Sequence, residues 1–281
     1  RHFLKVHYYP MFMSVLLSSV AGNEGLTQSY IQEMKKQGIE VTPPSVLAEG
    51  FTYQLMDGLH VTMPLIQIKS LGKTTVEAIL RERSKKAFES FFDFKRRLKG
   101  EVNTKNLEML IHSGALDCFG LNHQTMMQYR LIDDAGYEHY VSDFKIQSVD
   151  EYAFSELSMF EKEALGFNIA YLPERLYASF YRQKHIFKIG EEMTHGYVLG
   201  YVLAQKEIKT KKGDFMAFLT LSDGSNDMEV TVFPQVYQNI KDQLDRSFKL
   251  FRIRKETYKE KATYQLERIL ELDDYQKVNT Q

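Results

Sequence analysis

From about residue 196 onward the apolar period of the chain changes from helical to alternating, and the order of the segments that follow leaves few folds open. Tyr197-Val-Leu-Gly-Tyr-Val-Leu-Ala204 is a strand-like run, Lys211-Lys-Gly-Asp214 a turn, Phe215 to Leu221 a second strand and Glu229-Val-Thr-Val-Phe233 a third. Pro234 opens a helix at its first position, with Val236, Tyr237, Ile240 and Leu244 on one face. Phe248 to Arg254 and Thr263 to Leu270 supply two more strands. Three strands, a helix and two strands is the order of a five-stranded OB barrel.

The preceding two thirds read as helical. Leu26, Tyr30, Ile31 and Met34 recur at helical spacing, Gly38 follows as a stop, and Pro43-Pro44 forbids continuation. Val76, Ile79, Leu80 and Arg83 define a helix after Gly72. Leu107, Leu110 and Ile111 define another, capped by Asn103 or Thr104 and ended by Gly114. Ser158 and Glu161 have capping-box spacing before Ala164-Leu165-Gly166. The expected class is therefore α+β and multidomain, with a C-terminal barrel. The expected divisions are 1–58 (end of a helical region), 59–120 (helix-hairpin-helix region), 121–194 (an acidic helical linker) and 195–281 (the barrel).

With 281 residues, 43% of them hydrophobic, the chain can bury more than one core. The stretch from Tyr9 to Ala21 is too short and too broken by serines to span a bilayer, which needs roughly 20 apolar residues. The single Cys118 excludes an internal disulfide and a thiolate-rich zinc site, which points to a reducing, cytoplasmic setting; the residue itself is expected to be buried. The chain opens at Arg1-His2-Phe3 without a methionine and reads as a piece of something longer.

Net charge is −1, so no global basic field announces a polyanionic partner. The distribution says more: Arg81 to Lys99 holds eight basic residues against three acidic, and Lys206-Glu-Ile-Lys-Thr-Lys-Lys212 holds four against one. Either run can be a solvated face. Ser70-Leu-Gly-Lys-Thr-Thr75 matches the end of a phosphate loop, but the position of its first glycine is Gln67, so the backbone cannot wrap a triphosphate. A helix-hairpin-helix fits better: Leu65 to Ile68 ends a short helix, Ser70-Leu71-Gly72 turns, and Lys73 to Arg83 forms the second helix. Amides in such a hairpin, beside a helix N-terminus, seat phosphates without reading sequence. Lys69, Ser70, Gly72, Lys73 and Thr74 are the candidate contacts; the alternative is a plain helical turn.

In the barrel, Phe215, Ala217, Leu219 and Leu221 share one strand face and are expected in the core. Asp214, Met216, Phe218, Thr220 and Ser222 share the other. Phe218 beside a lysine-rich turn is how OB barrels stack single-stranded bases, so Lys206, Lys209, Lys211, Lys212 and Phe218 form a second candidate site. The alternative for Phe218 is that it covers a neighbouring domain. Catalytic chemistry is absent from the pattern: no Asp-x-Asp pair occurs, and the eight histidines are scattered. His112 and His185 read as packing or surface residues, and Asp133-Asp134 and Asp273-Asp274 as loops. No catalytic or metal-ligating residue is assigned.

These motifs resemble, in order, the bacterial replicative DNA polymerase III alpha subunits of the DnaE type. Leu4 to Leu17 and Gly38-Ile-Glu-Val-Thr-Pro-Pro44 are similar to the late fingers region, and Ile68-Lys-Ser-Leu-Gly72 with Val76-Glu-Ala-Ile79 to the helix-hairpin-helix. Ser90-Phe-Phe-Asp-Phe94, Ser113-Gly-Ala-Leu-Asp117 and Phe160-Glu-Lys-Glu-Ala-Leu-Gly-Phe167 continue the series. Ile208-Lys-Thr-Lys-Lys-Gly213, Met216-Ala-Phe218 and Glu229-Val-Thr-Val-Phe-Pro234 resemble the OB domain. The resemblance implies a template-directed polymerase that uses magnesium and deoxynucleoside triphosphates, its catalytic aspartates in a palm upstream of Arg1. This segment binds no cofactor in that reading. Its partners are duplex and single-stranded DNA, a sliding clamp and other replisome proteins, and no membrane. The family has Gly where this chain has Ser70. It also carries a clamp-binding peptide between hairpin and barrel, for which Gln124 to Tyr129, Gln147 to Tyr152 and the acidic segment Asp133 to Glu156 are the candidates. The rival function is a protein-docking scaffold with little DNA affinity.

Overall fold

The computed structural model describes residues 2–132, 146–172, 175, 178–182, 185–224, 226–272 and 274. The chain divides into two compact units, Arg1–Ala153 with Phe160–Ala170, and Phe154–Met159 with Tyr171–Gln281.

In the first unit, α1 (His2–Ser19) and α2 (Glu24–Lys36) are followed by three short strands, β1 (Glu40–Thr42), β2 (Gln54–Leu55) and β3 (His60–Thr62). β3 is central, parallel to β1 and antiparallel to β2. This small sheet corrects the all-helical expectation; segments of two or three residues are too short to display a two-residue period. A 3-10 turn (Leu65–Gln67) leads to α3 (Lys73–Lys85), α4 (Phe91–Arg97), α5 (Thr104–His112) and α6 (His123–Tyr129). The helix starts follow local chemistry. Asn23, Ser90, Asn103 and Asn122 each place a side-chain oxygen on the N–H three residues ahead. The core gathers Leu17, Met34, Val61, Ile79, Phe94 and Leu110, all fully buried. His112 is buried there as a packing residue, stacked on Phe160 with ring centroids 4.3 Å apart.

α7 (Phe154–Leu165) overturns the capping-box reading. Ser158 lies inside the helix and is buried. The buried Glu161 faces the other way along the chain: its carboxylate accepts from Asn168 Nδ2 at 3.1 Å, Ile169 N at 2.9 Å and Ala170 N at 3.0 Å. It closes the turn after the helix and does not start the helix. Cys118 is exposed, contrary to expectation. In the 3-10 turn Asp117–Phe119 the inward position falls to the preceding Leu116, which is fully buried.

The second unit holds a short helix, α8 (Ala178–Tyr181), β4 (Ile186–Phe187) and the closed barrel. Its strands are β5 (His195–Lys209), β6 (Phe215–Ser222), β7 (Asp227–Val232), β8 (Lys249–Tyr258) and β9 (Lys261–Leu270), with α9 (Pro234–Ile240) between the third and fourth. The sheet order β5-β6-β7-β9-β8 returns to β5, so the five-stranded α+β expectation holds. The long β5 closes the ring: residues 195–200 pair with β8 and residues 201–209 with β6, across a register shift at Val202/Ala204. Such a shift bends a strand at a barrel corner. Gly200 sits at that bend, where a Cβ would lie 2.6 Å from the Ser222 carbonyl oxygen. Ala217, Leu219, Leu221, Val230, Val232 and Phe251 fill the interior.

Candidate nucleic-acid interface

The hairpin between the 3-10 turn and α3 has a buried root and an exposed tip. Leu71 is 6% exposed and plugs the core, while Lys69, Ser70, Gly72, Lys73 and Thr74 are all exposed. Gly72 is the N-cap of α3 and brings no side chain to cap it. The first-turn amides of this 13-residue helix therefore face outward at its positive end, a geometry suited to phosphate oxygens. The two lysines differ. Lys73 is 79% exposed with a loose partner, Glu77 at 3.7 Å, whereas Lys69 is paired to Glu24 at 2.9 Å.

Ser70 has φ +72°, the left-handed region. Glycine adopts that region without steric cost and serine does not, and Ser70 offsets the strain with a 3.1 Å hydroxyl bond to Asn106 Oδ1. Ser70→Gly is expected to leave duplex affinity unchanged, because an amide contact survives. Ser70→Val should cost roughly 1–2 kcal/mol of stability and weaken duplex binding. Thermal melts and fluorescence anisotropy on the two variants check this; a weakened Ser70→Gly would mean the hydroxyl itself touches DNA.

The hairpin is held from far along the chain. Lys69 N donates to Ala164 O at 2.8 Å, the buried C-terminal end of α7 thus fixing the turn. Gly166 follows at φ +90°, and a Cβ there would lie 2.6 Å from the Glu24 carboxyl carbon. The segment Glu161 to Gly166 therefore anchors the hairpin and the Glu24–Lys69 pair together. No local signal ties residue 69 to residue 164.

The basic run 81–99 is largely spent on the fold. Arg81 pairs with Glu101 at 2.7 Å, and Arg83 donates to the carbonyls of Val46 and Ala48 at 2.8 and 2.6 Å. Lys95 donates to those of Tyr129 and Ile132 at 2.8 and 2.9 Å, and Arg96 and Arg97 both meet the buried Asp93. The two described clamp-peptide candidates hold each other. Gln124 to Tyr129 lies in α6, and the segment at 147–152 runs along it: Val149 N donates to Thr125 Oγ1 at 3.1 Å, and the Glu151 carboxylate caps His123 N and Gln124 N at 2.9 and 3.0 Å. Of the acidic segment, residues 133–145, Asp133-Asp134 among them, lie outside the described residues, as does Asp273.

On the barrel, Lys206 lies directly across from Phe218, and Phe218 across from Thr231. Ala217 and Leu219 are fully buried, so this row faces outward; Phe218 is half-buried and Lys206, Lys209, Lys211 and Lys212 are exposed. The lysine turn is closed by Gly213 N donating to Thr210 O at 2.9 Å and Thr210 N to Asp214 O at 2.8 Å. Phe215 departs from its expected core position. At the first residue of β6 it overruns the barrel end, is 47% exposed, and lies under the ammoniums of Lys209 and Lys241 at 5.6 and 5.7 Å. Lys241 also pairs with Glu207 at 3.3 Å, and the Tyr237 hydroxyl bond holds the Glu207 carboxyl below its ordinary pKa. Sequence reasoning missed Phe233 as well. Val230 and Val232 point inward, so Phe233, 45% exposed at the strand–helix junction, lies on the Phe218 side. Extending the alternation of β6 to β7 would have found it. Among the described residues no group of three or more His, Cys, Asp and Glu could hold a metal ion. Among them, too, no helix is long and apolar enough to cross a membrane.

A helix-hairpin-helix motif family matches residues 38–126. The chain is 35% identical over 275 residues to the DNA polymerase III subunit alpha of Bacillus subtilis (strain 168), covering 89% of this chain and 24% of that protein. It is 33% identical over 260 residues to the protein of the same name from Staphylococcus aureus (strain MRSA252), covering 87% of this chain and 24% of that one. The chain spans about a quarter of the length of the curated relatives it matches. It carries a helix-hairpin-helix motif and is homologous, along nearly all of its own length, to a segment of the bacterial DNA polymerase III alpha subunits.

Proposed function

We propose that this chain is a DNA-gripping part of a replicative DNA polymerase. Its hairpin holds the backbone of duplex leaving the active site, and its barrel meets single-stranded template. Nucleotidyl transfer, with magnesium and deoxynucleoside triphosphates, belongs to the remainder of the relatives' length, so the chain alone incorporates no nucleotide. The functional division is 59–120 for duplex, 195–281 for template, 1–58 as the end of a fingers-like region and 121–194 as the connection that includes the clamp-contacting segment. The observation that carries this reading is the row Lys206–Phe218 on the outer barrel face, beside the exposed Lys209, Lys211 and Lys212. A flat ring stacks a base while ammoniums take adjacent phosphates, and neither reads sequence.

If four lysines engage a single strand, log affinity should fall against log salt with a slope of roughly −3, at about 0.7 per phosphate. Phe218→Ala should weaken single-strand binding by roughly 1–3 kcal/mol and duplex binding by less. Anisotropy with labelled oligonucleotides reads both. A flat salt response, with capture of replisome proteins in place of DNA, would favour the docking-scaffold alternative. Photocrosslinking from a template strand to the 206–212 loop in the intact polymerase separates the two.

A further inference from the structure

We propose that the barrel carries a second contact for nucleic-acid phosphates, built from Arg252, Arg254 and Arg268 on the outer face of β5, β8 and β9. This rests on the reading of the barrel as a single-strand binder and adds a face separate from the lysine turn. Register places the residues together: Tyr197 lies across from Arg252, Arg252 across from Arg268, and His195 across from Arg254. The inward neighbours Val198, Phe251 and Ile253 are fully buried, so these side chains project from the sheet.

Each guanidinium is oriented through its Nε edge. Arg254 Nε meets Glu267 at 2.9 Å, and Arg252 Nε lies 3.3 Å from Glu267 and 3.2 Å from His195 Nε2. Arg268 Nε donates to the Tyr197 hydroxyl at 3.0 Å, with its Nη2 on the same oxygen. Tyr197 also lies beneath both Arg252 and Arg268, at 6.0 and 5.7 Å from ring centroid to guanidinium carbon. His195 Nε2 lies 2.8 Å from a Glu267 carboxylate oxygen, completing the frame. One carboxylate thus anchors two arginines and a histidine, and a phenol anchors the third arginine. The Nη ends of Arg252 and Arg254 have no acceptor among the described residues.

That arrangement suits phosphate. The guanidinium fork binds phosphate oxygens two at a time, and the frame has already removed much of the side-chain freedom that binding would otherwise cost. Three fixed cations against one central carboxylate leave an excess positive charge. An acidic protein partner is less well served. Protein hot spots need apolar anchors seated in pockets; this patch of His195, Tyr197, Arg252, Arg254, Gln265, Glu267 and Arg268 offers one ring, Tyr197, which two guanidiniums already cover, and the next row, Leu199 and Leu250, is buried.

The test uses the whole chain and a labelled single-stranded oligonucleotide. Arg254→Gln with Arg268→Gln leaves Arg252, His195 and Glu267 in place; affinity at low salt is expected to drop roughly tenfold, and the log–log salt slope to shrink by about 1.4. Arg254→Lys with Arg268→Lys keeps the charge and should retain the slope while losing part of the affinity. A melt unchanged from the parent establishes that both are folded. Lysine-turn variants (Lys211→Gln with Lys212→Gln) serve as the comparison. If those lose affinity and slope while the arginine variants lose neither, this face is not a phosphate contact and the lysine-turn reading stands. No binding by the parent chain overturns both. A polyglutamate peptide that binds the parent, fails on the arginine variants and leaves oligonucleotide binding untouched assigns the face to an acidic protein and overturns the proposal.

Discussion

Phe251→Ala is expected to lower the stability of the barrel by roughly 3–5 kcal/mol while leaving the helical unit's own unfolding transition where it was. The ring of Phe251 is fully buried, with Val198 across from it on β5 and Ile269 across from it on β9. It therefore stands at the seam where the sheet closes, and its removal leaves a cavity that neither strand can fill without losing register. The two units have separate clusters of buried side chains, one around Leu17, Val61 and Leu110 and one around Leu219, Val232 and Phe251. Two cores of this size unfold as two cooperative steps. Differential scanning calorimetry on parent and variant should show one transition moving and one fixed. A single transition displaced as a whole would mean the halves unfold together.

Acid should destabilise the helical unit through His112. Burial drives its pKa down to about 4, outweighing the nearby Glu163 and Glu108 carboxylates that favour the charged form, while His123 and Lys105 act with burial. Its ring is 4% exposed, stacked on Phe160, and Nδ1 has no hydrogen-bond partner among the described residues. Unfolded, the imidazole titrates near its ordinary value of about 6.5. The folded form thus holds fewer protons between the two values. The neutral ring's contribution is complete above about pH 6.5, is lost as pH falls towards 4, and changes no further below. The span corresponds to about 3 kcal/mol. His112→Phe keeps the ring stack and removes the titration. Urea midpoints at pH 7 and pH 4.5 should fall further for the parent than for the variant, and parallel falls would exclude His112 as the source.

The barrel was legible because its signals are local. Alternation in 215–221, the proline opening α9 and the glycine turn at 213 each arise within a few residues, and backbone geometry converts them directly into strands, a helix and a hairpin. The helix caps at Asn103 and the stop at Gly38 were legible for the same reason. The small sheet in the helical unit was not, because strands of two or three residues carry no period. The basic run 81–99 misleads in composition: Arg83 serves the carbonyls of Val46 and Ala48 and Lys95 those of Tyr129 and Ile132, acceptors that only tertiary packing brings close, while Arg96 and Arg97 meet Asp93 within their own helix.

Phe215 and Phe233 show the limit within one strand pair. Parity assigns a face, but where a strand runs past the end of a barrel the inward face has no interior left to enter, and Phe215 emerges beside Lys209 and Lys241. The sequence alone determined the element order of the barrel and the outward row at Phe218. Tertiary structure alone decided which charges remain available. Lys69 is tied to Glu24 and its hairpin to Ala164, while Arg252, Arg254 and Arg268, spread over two strands, converge on one face. Charge availability is a property of three-dimensional neighbours, and a carboxylate 45 or 15 residues away has no presence in any local window.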